Sequence, residues 1–355
     1  MYYVIMLKKS IKLGFIGAGW WATSNHIPTA KKRKEVILDS VCRLGKNDLL
    51  KIKNNFGFQF VTEDYKELLK RDLDGVIIST PHSLHFKHSK DALEKNINVL
   101  IEKPMSIKTS EAEYLVKIAK QKNLKILISH GWHYLKESRL AKEKIMSGYI
   151  GKIESIVCNQ SSGVRELLQG TQWDIKGKEI MFNPEPSTWS DPNIAKGGYG
   201  LAQMTHSIAL VCFIANINPI SVFCIDSSNN IELHKTISVK CEDNLFATFT
   251  GSSTHLNTYD NCQITIFGEQ GTLILNIGRN INLEIYKKDT KKFTYTKRKD
   301  KLKLFGPTSN FIDMLINPNS TNWSDGELGL KTTLILDASY KSSKSSKLEK
   351  VDRLS

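Results

Sequence analysis

Short apolar runs alternate with amphipathic segments in the first third of the chain. Runs rich in β-branched residues predict buried strands, and the segments between them have helical spacing. The predicted strands are 11–16, 36–42, 74–80, 98–101 and 124–129, and the predicted helices are 63–70, 86–95 and about 110–122. Apolar strands that alternate with helices indicate a doubly wound parallel sheet.

The second half of the chain has longer strands that follow one another through short connections. After a helix over 138–147, they are predicted at 152–160, 220–226, 236–242, 245–251, 262–267, 271–276 and 281–287. Consecutive strands predict a large, mostly antiparallel open sheet with helices on one face. Because a broad free face often becomes a subunit interface, we expect a homodimer or a homotetramer.

Three further segments are predicted to lie outside this strand pattern. Residues 161–194 are rich in Pro, Trp, Asp and Asn, and we expect a substrate-covering loop with Trp173 or Trp189 in its pocket. Residues 287–303 are predicted to form a charge-dense hairpin or loop, and we interpret them as a solvated basic face rather than a nucleic-acid site. Residues 341–355 are predicted to form a frayed polar tail.

Composition is that of an ordinary globular protein and excludes few functions. The 355 residues are enough for two domains, and 40% of them are hydrophobic and 24% charged. The formal charge of +14 comes from lysines scattered along the chain. No zinc-finger or RNA-binding signature accompanies them, so the basic surface favours anionic small molecules over a nucleic-acid partner.

The cysteines and the apolar runs bear on the cellular compartment. Six cysteines lie mostly in apolar runs and never form a C-x-x-C pair, which predicts reduced, buried thiols and no metal site. The apolar start over 1–6 is too short for a signal sequence, and no later run approaches the length of a membrane span. We therefore expect a cytoplasmic protein without a membrane partner.

A glycine-rich turn directly follows the first predicted strand. Gly17, Gly19 and Ala22 form a G-x-G-x-x-A pattern that includes Trp20 and Trp21. The first glycine permits a tight turn, the second lets the backbone approach a pyrophosphate, and the small alanine permits close helix packing. A phosphate would lie at the helix N-terminus, where free N–H groups favour an anion. The pattern therefore predicts a dinucleotide site.

The residue that ends the second strand bears on which dinucleotide binds. An acid at this point holds a ribose 2′-hydroxyl, whereas an arginine accommodates a 2′-phosphate. This chain has Arg43, so NADP is favoured over NAD. The alternative is a surface arginine, with Asp39 or Asp48 holding the ribose.

The alternation of predicted strands and helices ends after the strand over 124–129, and a linker-like segment begins at 130–134. We therefore assign residues 1–130 to a dinucleotide-binding Rossmann domain and residues 131–355 to a substrate-binding and oligomerisation α/β domain.

Polar side chains follow two neighbouring strands of the predicted parallel sheet. The strand over 98–101 is followed directly by Glu102, Lys103 and Pro104. Lysine donates hydrogen bonds, and its pKa changes readily on burial. The proline restricts the backbone of the lysine. Thr80 and Pro81 end the preceding strand. The next site candidate, His85, could line the nicotinamide pocket, cap a helix or be solvated. The alternative for Lys103 is a solvated side chain at an ordinary strand end.

A second candidate segment is the glycine-rich stretch 197–200, which leads into an apolar run. Gln203 lies one helical turn before Ser207, and His206 projects from the same turns. A histidine can relay a proton near neutral pH, as hydride transfer to or from an alcohol requires. The alternative is a buried histidine bonded to the backbone. Trp132, Tyr134 and Gln203 are candidate substrate residues.

Together these motifs resemble the glucose–fructose oxidoreductase/inositol dehydrogenase/MocA family of NAD(P)-dependent oxidoreductases over essentially the whole chain. The resemblance rests, in order, on Gly17-x-Gly19-x-x-Ala22, His26-Ile-Pro28, Thr80-Pro81 with His85, Glu102-Lys103-Pro104, the segment 197–206 and a late helix over 326–342. It implies a Rossmann domain, an α/β domain with an open sheet, and an active site between them.

The resemblance also implies roles for individual residues. Lys103 corresponds to the catalytic lysine, Pro104 to a shaping proline that is often cis, and His206 to the acid/base histidine. Many family members carry an aspartate four residues before that histidine, where this chain has Ala202, and Gln203 cannot titrate. The residues expected to contact the cofactor are Gly17, Gly19, Trp20, Trp21, Ala22, Arg43, Thr80, Pro81, His85, Glu102 and Lys103.

The sequence thus predicts an NAD(P)-dependent dehydrogenase or reductase. It would transfer hydride between nicotinamide and a secondary alcohol or ketone of a sugar, cyclitol or sugar derivative. NADP or NAD is the expected cofactor, with NADP favoured, and a carbohydrate-like small molecule is the expected substrate. Two alternatives are a non-catalytic dinucleotide- or sugar-sensing regulator of the same fold, and redox-neutral glycoside cleavage with tightly held NAD.

Overall fold

Two sheets organise the chain. A computed structural model describes residues 10–171, 180–227, 230–254, 261–288, 290–297 and 306–351. The strands of the first sheet are β1 (Ile11–Ile16), β2 (Val36–Cys42), β3 (Phe60–Thr62), β4 (Gly75–Ile78), β5 (Asn98–Ile101) and β6 (Ile126–Ile128). They are all parallel, in the order β3-β2-β1-β4-β5-β6. The predicted parallel sheet is confirmed.

Helices connect the strands of this sheet, as parallel strands require. They are α1 (Ile27–Lys31), α2 (Lys46–Phe56), α3 (Tyr65–Leu68), α4 (His85–Glu94) and α5 (Thr109–Gln121). A π-helical turn, Ala22–His26, precedes α1, and a 3₁₀ turn, His82–Leu84, precedes α4. Both turns begin close to the carboxyl ends of strands, so they lie at the edge where a doubly wound sheet binds its ligands.

The second sheet has nine strands. They are β7 (Ile153–Ser161), β8 (Pro219–Asp226), β9 (His234–Cys241), β10 (Phe246–Ser252), β11 (Asn261–Gly268), β12 (Gly271–Ile277), β13 (Ile281–Lys287), β14 (Thr290–Lys297) and β15 (Glu349–Lys350). Their order is β14-β13-β12-β11-β7-β10-β9-β8-β15, and only β7 and β10 pair in parallel. This confirms the predicted antiparallel character.

One face of the second sheet packs on helices and the other is open. The helices of this half are α6 (Lys136–Met146), α7 (Arg165–Leu168), α8 (Ser187–Ser190), α9 (Pro192–Ala195), α10 (Thr205–Ala215), α11 (Gly306–Ile316) and α12 (Gly326–Ser345). Side chains of α6, α10 and α12 share one hydrophobic core with the sheet. The open face exposes large apolar side chains: Val157, Phe223, Ile225, Phe246 and Phe267.

The polar tail is more ordered than predicted. Helix α12 continues to Ser345, and β15 then pairs with β8. The hydroxyl of Ser342 accepts a hydrogen bond from the Cys224 N–H at 3.0 Å and donates one to the Lys347 carbonyl at 2.6 Å. The prediction of a frayed tail is therefore wrong up to residue 351, because these bonds attach it to the sheet edge; residues 352–355 lie outside the described residues.

The predicted loop over 161–194 contains regular structure, and the segment 287–303 forms the hairpin that is one of its two predicted alternatives. The segment 161–194 includes α7, α8 and the start of α9, while residues 172–179, with Trp173, lie outside the described residues. The charged segment 287–303 is a β13–β14 hairpin as far as residue 297, beyond which the structure does not describe it.

A helical stretch over Pro192–Ala215 is long and apolar enough, by length and composition, to cross a membrane. However, 83% of its most apolar window is buried inside the fold, as in the core helix of a soluble protein. The stretch is not one continuous helix, because Lys196, with φ +62°, ends α9 before α10 begins. Within the described residues, no group of three or more His, Cys, Asp or Glu side chains is placed to hold a metal ion.

Candidate active site

The glycine-rich turn after β1 is closed on one side and open on the other. Gly17 has φ +88°, and a Cβ built on it would lie 2.6 Å from the backbone carbonyl of Ser79. Only glycine fits there, because an L side chain would be both strained and in collision. A Cβ built on Gly19 meets no atom within 4 Å. The backbone beside Gly19 therefore has the room that a pyrophosphate needs.

A buried carboxylate lies beneath this turn. Glu102 Oε1 accepts hydrogen bonds from Trp21 Nε1 and from His26 Nε2, both at 2.9 Å. The other ring nitrogen of His26 contacts the Thr308 hydroxyl at 2.7 Å. Burial raises the pKa of Glu102, but the hydrogen bond and charge of His26 and the charge of Lys103 outweigh it and lower the pKa to about 2. Glu102 is thus an ionised anchor for the turn.

This anchor predicts a specific loss of stability in acid. Since the pKa of Glu102 falls from 4.5 to about 2 on folding, its contribution is complete above pH 4.5 and is lost as the pH falls towards 2. We expect Glu102→Gln to lower the free energy of unfolding at neutral pH by roughly 1–3 kcal/mol. Urea unfolding of the unaltered protein and of Glu102→Gln should show that the difference between their free energies of unfolding becomes smaller below pH 4.5. A difference in the free energy of unfolding that is the same in acid would contradict the assignment of Glu102 as an ionised anchor.

Lys103 lies at the end of β5, and its peptide bond to Pro104 is cis. The Lys103 ammonium donates a hydrogen bond to the Ala202 carbonyl at 2.7 Å. It also lies 5.8 Å from the centre of the Trp189 ring. The lysine therefore joins the edge of the first sheet to the glycine-rich segment before α10 and to the segment over 161–194.

His85 lies buried between the ends of two strands. It is fully buried, and its ring nitrogens contact the carbonyls of Pro104 and Thr80, both at 2.7 Å. It is therefore not solvated, and it connects the ends of two strands; its expected contact with the nicotinamide stays a prediction. His82 lies beside it, 5.9 Å from Trp189 between ring centres. Burial and the charges of His85 and Lys103 lower the pKa of His82 to about 3.

Arg43 lies beside the glycine-rich turn. Its Nη1 donates to the Ala18 carbonyl at 3.0 Å, and its Nε and Nη2 donate to Asp48 at 3.1 and 2.7 Å. The guanidinium lies 4.0 Å from the centre of the Phe182 ring. Asp39 is bound instead by Arg71. Of the two acids considered for the ribose, only Asp48 is therefore paired with Arg43 at this edge.

His206 lies close to two aromatic side chains from the turn after β6. The His206 ring centre is 5.3 Å from Trp132 and 5.9 Å from His130. Its Nδ1 is buried and has no hydrogen-bond partner among the described residues. Burial and the charge of Lys103 hold the pKa of His206 well below its ordinary value. His206 is thus a neutral imidazole at neutral pH.

The other two substrate candidates make structural contacts. The Tyr134 hydroxyl donates to Asn310 Oδ1 at 2.9 Å, which attaches this turn to α11. The Gln203 carbonyl accepts from the Gln160 side chain at 3.2 Å. Gln203 lies in a π-helical turn, Gly200–Met204, so the α-helical spacing predicted between Gln203 and Ser207 does not apply there.

Comparison with known proteins identifies the family. The family model for an oxidoreductase family with an NAD-binding Rossmann fold matches residues 11–130, and the model for its C-terminal α/β domain matches residues 142–352. The chain belongs to the glucose–fructose oxidoreductase/inositol dehydrogenase/MocA family. The resemblance found from the motifs is confirmed.

Individual relatives of this family member are distant. Oxidoreductase P35 of Formosa agariphila is 26% identical over 75% of this chain and 79% of its own length. The D-xylose 1-dehydrogenase [NADP(+)] of Haloarcula marismortui is 23% identical over 74% of this chain and 71% of its own. The fold matches that of a levoglucosan dehydrogenase in complex with NADH and L-sorbose. That match has a TM-score of 0.80 at 16% identity and covers 98% of this chain and 100% of that one.

Proposed function

We propose that this family member is an NAD(P)-dependent dehydrogenase or reductase acting on a secondary alcohol or ketone of a carbohydrate-like molecule. One observation carries the proposal: Glu102 binds Trp21 of the glycine turn, and the next residue, Lys103, donates to the Ala202 carbonyl four residues before His206. The named activities of the relatives, a xylose dehydrogenase and a levoglucosan dehydrogenase, support the same substrate class.

The open space at Gly19 fits the pyrophosphate of a dinucleotide. When bound there, the nicotinamide supplies or accepts the hydride. We assign to Lys103 the hydrogen bond that polarises the substrate oxygen, and to His206 the proton. A neutral imidazole can accept that proton during oxidation of an alcohol and return it during reduction. Ala202 contributes only its carbonyl, which orients the Lys103 ammonium.

Arg43 supports a preference for NADP. We expect Arg43→Asp to weaken NADPH binding by at least about tenfold, or ~1.4 kcal/mol, and NADH binding much less. The matched change Asp48→Asn removes the carboxylate that holds Arg43 and would face a 2′-phosphate, so it should tighten NADPH binding. Fluorescence titration of both cofactors measures these affinities. Tighter NADH binding than NADPH binding by the unaltered protein would overturn the preference.

The substrate is found by screening sugars, inositols and sugar derivatives with both cofactors. We expect a change in nicotinamide absorbance with at least one of them. Cleavage of a glycoside without a net absorbance change, by protein that retains NAD through purification, would support redox-neutral chemistry instead. Cofactor binding without turnover of any compound would favour a sensing role.

We infer the organisation of the molecule from the same features. Residues 1–130 would bind the dinucleotide, and residues 131–355 would bind the substrate and form the subunit interface. The exposed apolar side chains on the open face of the second sheet support a homodimer or a homotetramer. We propose a cytoplasmic protein without a nucleic-acid or membrane partner.

A further inference from the structure

A second buried carboxylate lies far from Glu102 in the sequence and holds the glycine-rich segment before α10. Glu232 is 1% exposed. Its Oε2 accepts from the Gly198 N–H at 2.7 Å, and its Oε1 accepts from the Gly200 N–H at 2.9 Å. The Tyr340 hydroxyl donates to the same Oε1 at 2.5 Å. Three donors thus compensate the buried charge.

The backbone of Glu232 also packs tightly against this segment. Its carbonyl accepts from the Tyr199 N–H at 2.7 Å. A Cβ built on Gly198 would lie 2.1 Å from that carbonyl oxygen, and a Cβ on Gly200 would lie 3.0 Å from Oε1. The approach of Glu232 therefore requires glycine at 198, whereas a side chain at 200 would be crowded by Oε1 and, at 2.8 Å, by the Tyr340 hydroxyl.

A continuous series of hydrogen bonds leads from Glu232 to the candidate catalytic lysine. The carboxylate holds the Gly198 N–H, the Gly198 carbonyl accepts from the Ala202 N–H at 3.0 Å, and the Ala202 carbonyl accepts from the Lys103 ammonium at 2.7 Å. We propose that Glu232 is a positioning residue that fixes the Ala202 carbonyl and, through it, the direction and the protonation of Lys103. This inference rests on the proposed function for the role of Lys103.

Other charged and titratable groups lie around this series of hydrogen bonds. Lys235 is paired with Asp226 at 2.8 Å and lies 3.9 Å from the centre of the Tyr340 ring. Among the described residues, the groups that act on Lys103 include Glu102, His82, His85, His130 and His206. A hydrogen bond from an ammonium to a carbonyl favours the charged form, so a displaced Ala202 carbonyl should lower the pKa of Lys103.

The test compares Glu232→Gln with Glu242→Gln. In Glu232→Gln the side-chain amide would place an N–H group opposite the donors that now face the Glu232 carboxylate. Glu242, the control position, is an exposed acid bonded to Asn218. We expect Glu232→Gln to fold and bind cofactor, with kcat about tenfold lower, KM nearly unchanged and the Lys103 limb of the pH–rate profile lower by about 0.5 unit. Glu242→Gln should behave like the unaltered protein.

A second readout does not need turnover. The rate at which acetic anhydride acetylates Lys103, followed by peptide mass spectrometry across pH, reports the fraction of neutral amine. We expect its midpoint to fall by about 0.5 pH unit in Glu232→Gln. An unchanged midpoint would overturn the inference, whereas absence of turnover by the unaltered protein would overturn only the proposed function. If Glu232→Gln fails to fold, Glu232→Asp decides, because the shorter side chain keeps the charge but cannot hold Gly198 and Gly200 as Glu232 does. A midpoint unchanged in Glu232→Asp overturns the inference equally.

Discussion

Replacement of Lys103 by methionine is expected to abolish turnover almost completely while the cofactor still binds. The Lys103 ammonium is the cationic donor at the end of β5, held 2.7 Å from the Ala202 carbonyl. Methionine keeps the length of the side chain but cannot polarise a substrate oxygen or transfer a proton. Loss of such a group lowers rates by roughly 10²–10⁴-fold. Steady-state kinetics with the identified substrate, together with NADPH titration, measures both parts of this prediction.

A matched control lies five residues further along the chain. Lys108 is an exposed lysine immediately before α5 and donates no side-chain hydrogen bond to the site residues described above. Lys108→Met should leave kcat and the cofactor affinity within about twofold of the unaltered protein. If Lys103→Met turns over substrate at a comparable rate with its cofactor bound, Lys103 is not the catalytic group.

Some of this site follows directly from the sequence. An apolar run such as Asn98–Ile101 is too short for a helix and is buried on both faces, so it is recognised as a strand of a parallel sheet. The carboxyl ends of parallel strands share one edge. Thr80 and Lys103, which follow neighbouring strands, could therefore be placed near the glycine turn without a structure.

The rest depends on contacts that no local pattern encodes. His26 meets Glu102 across 76 positions and Thr308 across 282. The residues of the π-helical turns Ala22–His26 and Gly200–Met204 carry no local pattern that distinguishes a π-helical from an α-helical turn, so the altered spacing could not be predicted from the sequence. Glu232 precedes β9 in a polar segment, where an acid ordinarily suggests a solvated turn.

Substitutions at the two glycines of the dinucleotide motif are expected to affect different properties: cofactor binding at Gly19 and stability at Gly17. Gly17 has a positive φ, and a Cβ added there would collide with the Ser79 backbone. Gly19 has no positive φ, and a Cβ added there would lie in open space. We expect Gly19→Val to keep the melting temperature of the unaltered protein but to weaken NADPH binding by at least about 100-fold, or ~2.7 kcal/mol. The added side chain would occupy the space assigned to the pyrophosphate, and its Cβ meets no protein atom within 4 Å.

Gly17→Ala supplies the opposite result. Its Cβ would meet the Ser79 carbonyl at 2.6 Å in a backbone conformation that alanine disfavours, so the melting temperature should fall clearly. Thermal unfolding and fluorescence titration of both variants distinguish the two effects. The space at Gly19 is the feature that assigns the dinucleotide to this edge. Full NADPH affinity in Gly19→Val would therefore show that the cofactor binds elsewhere on the sheet.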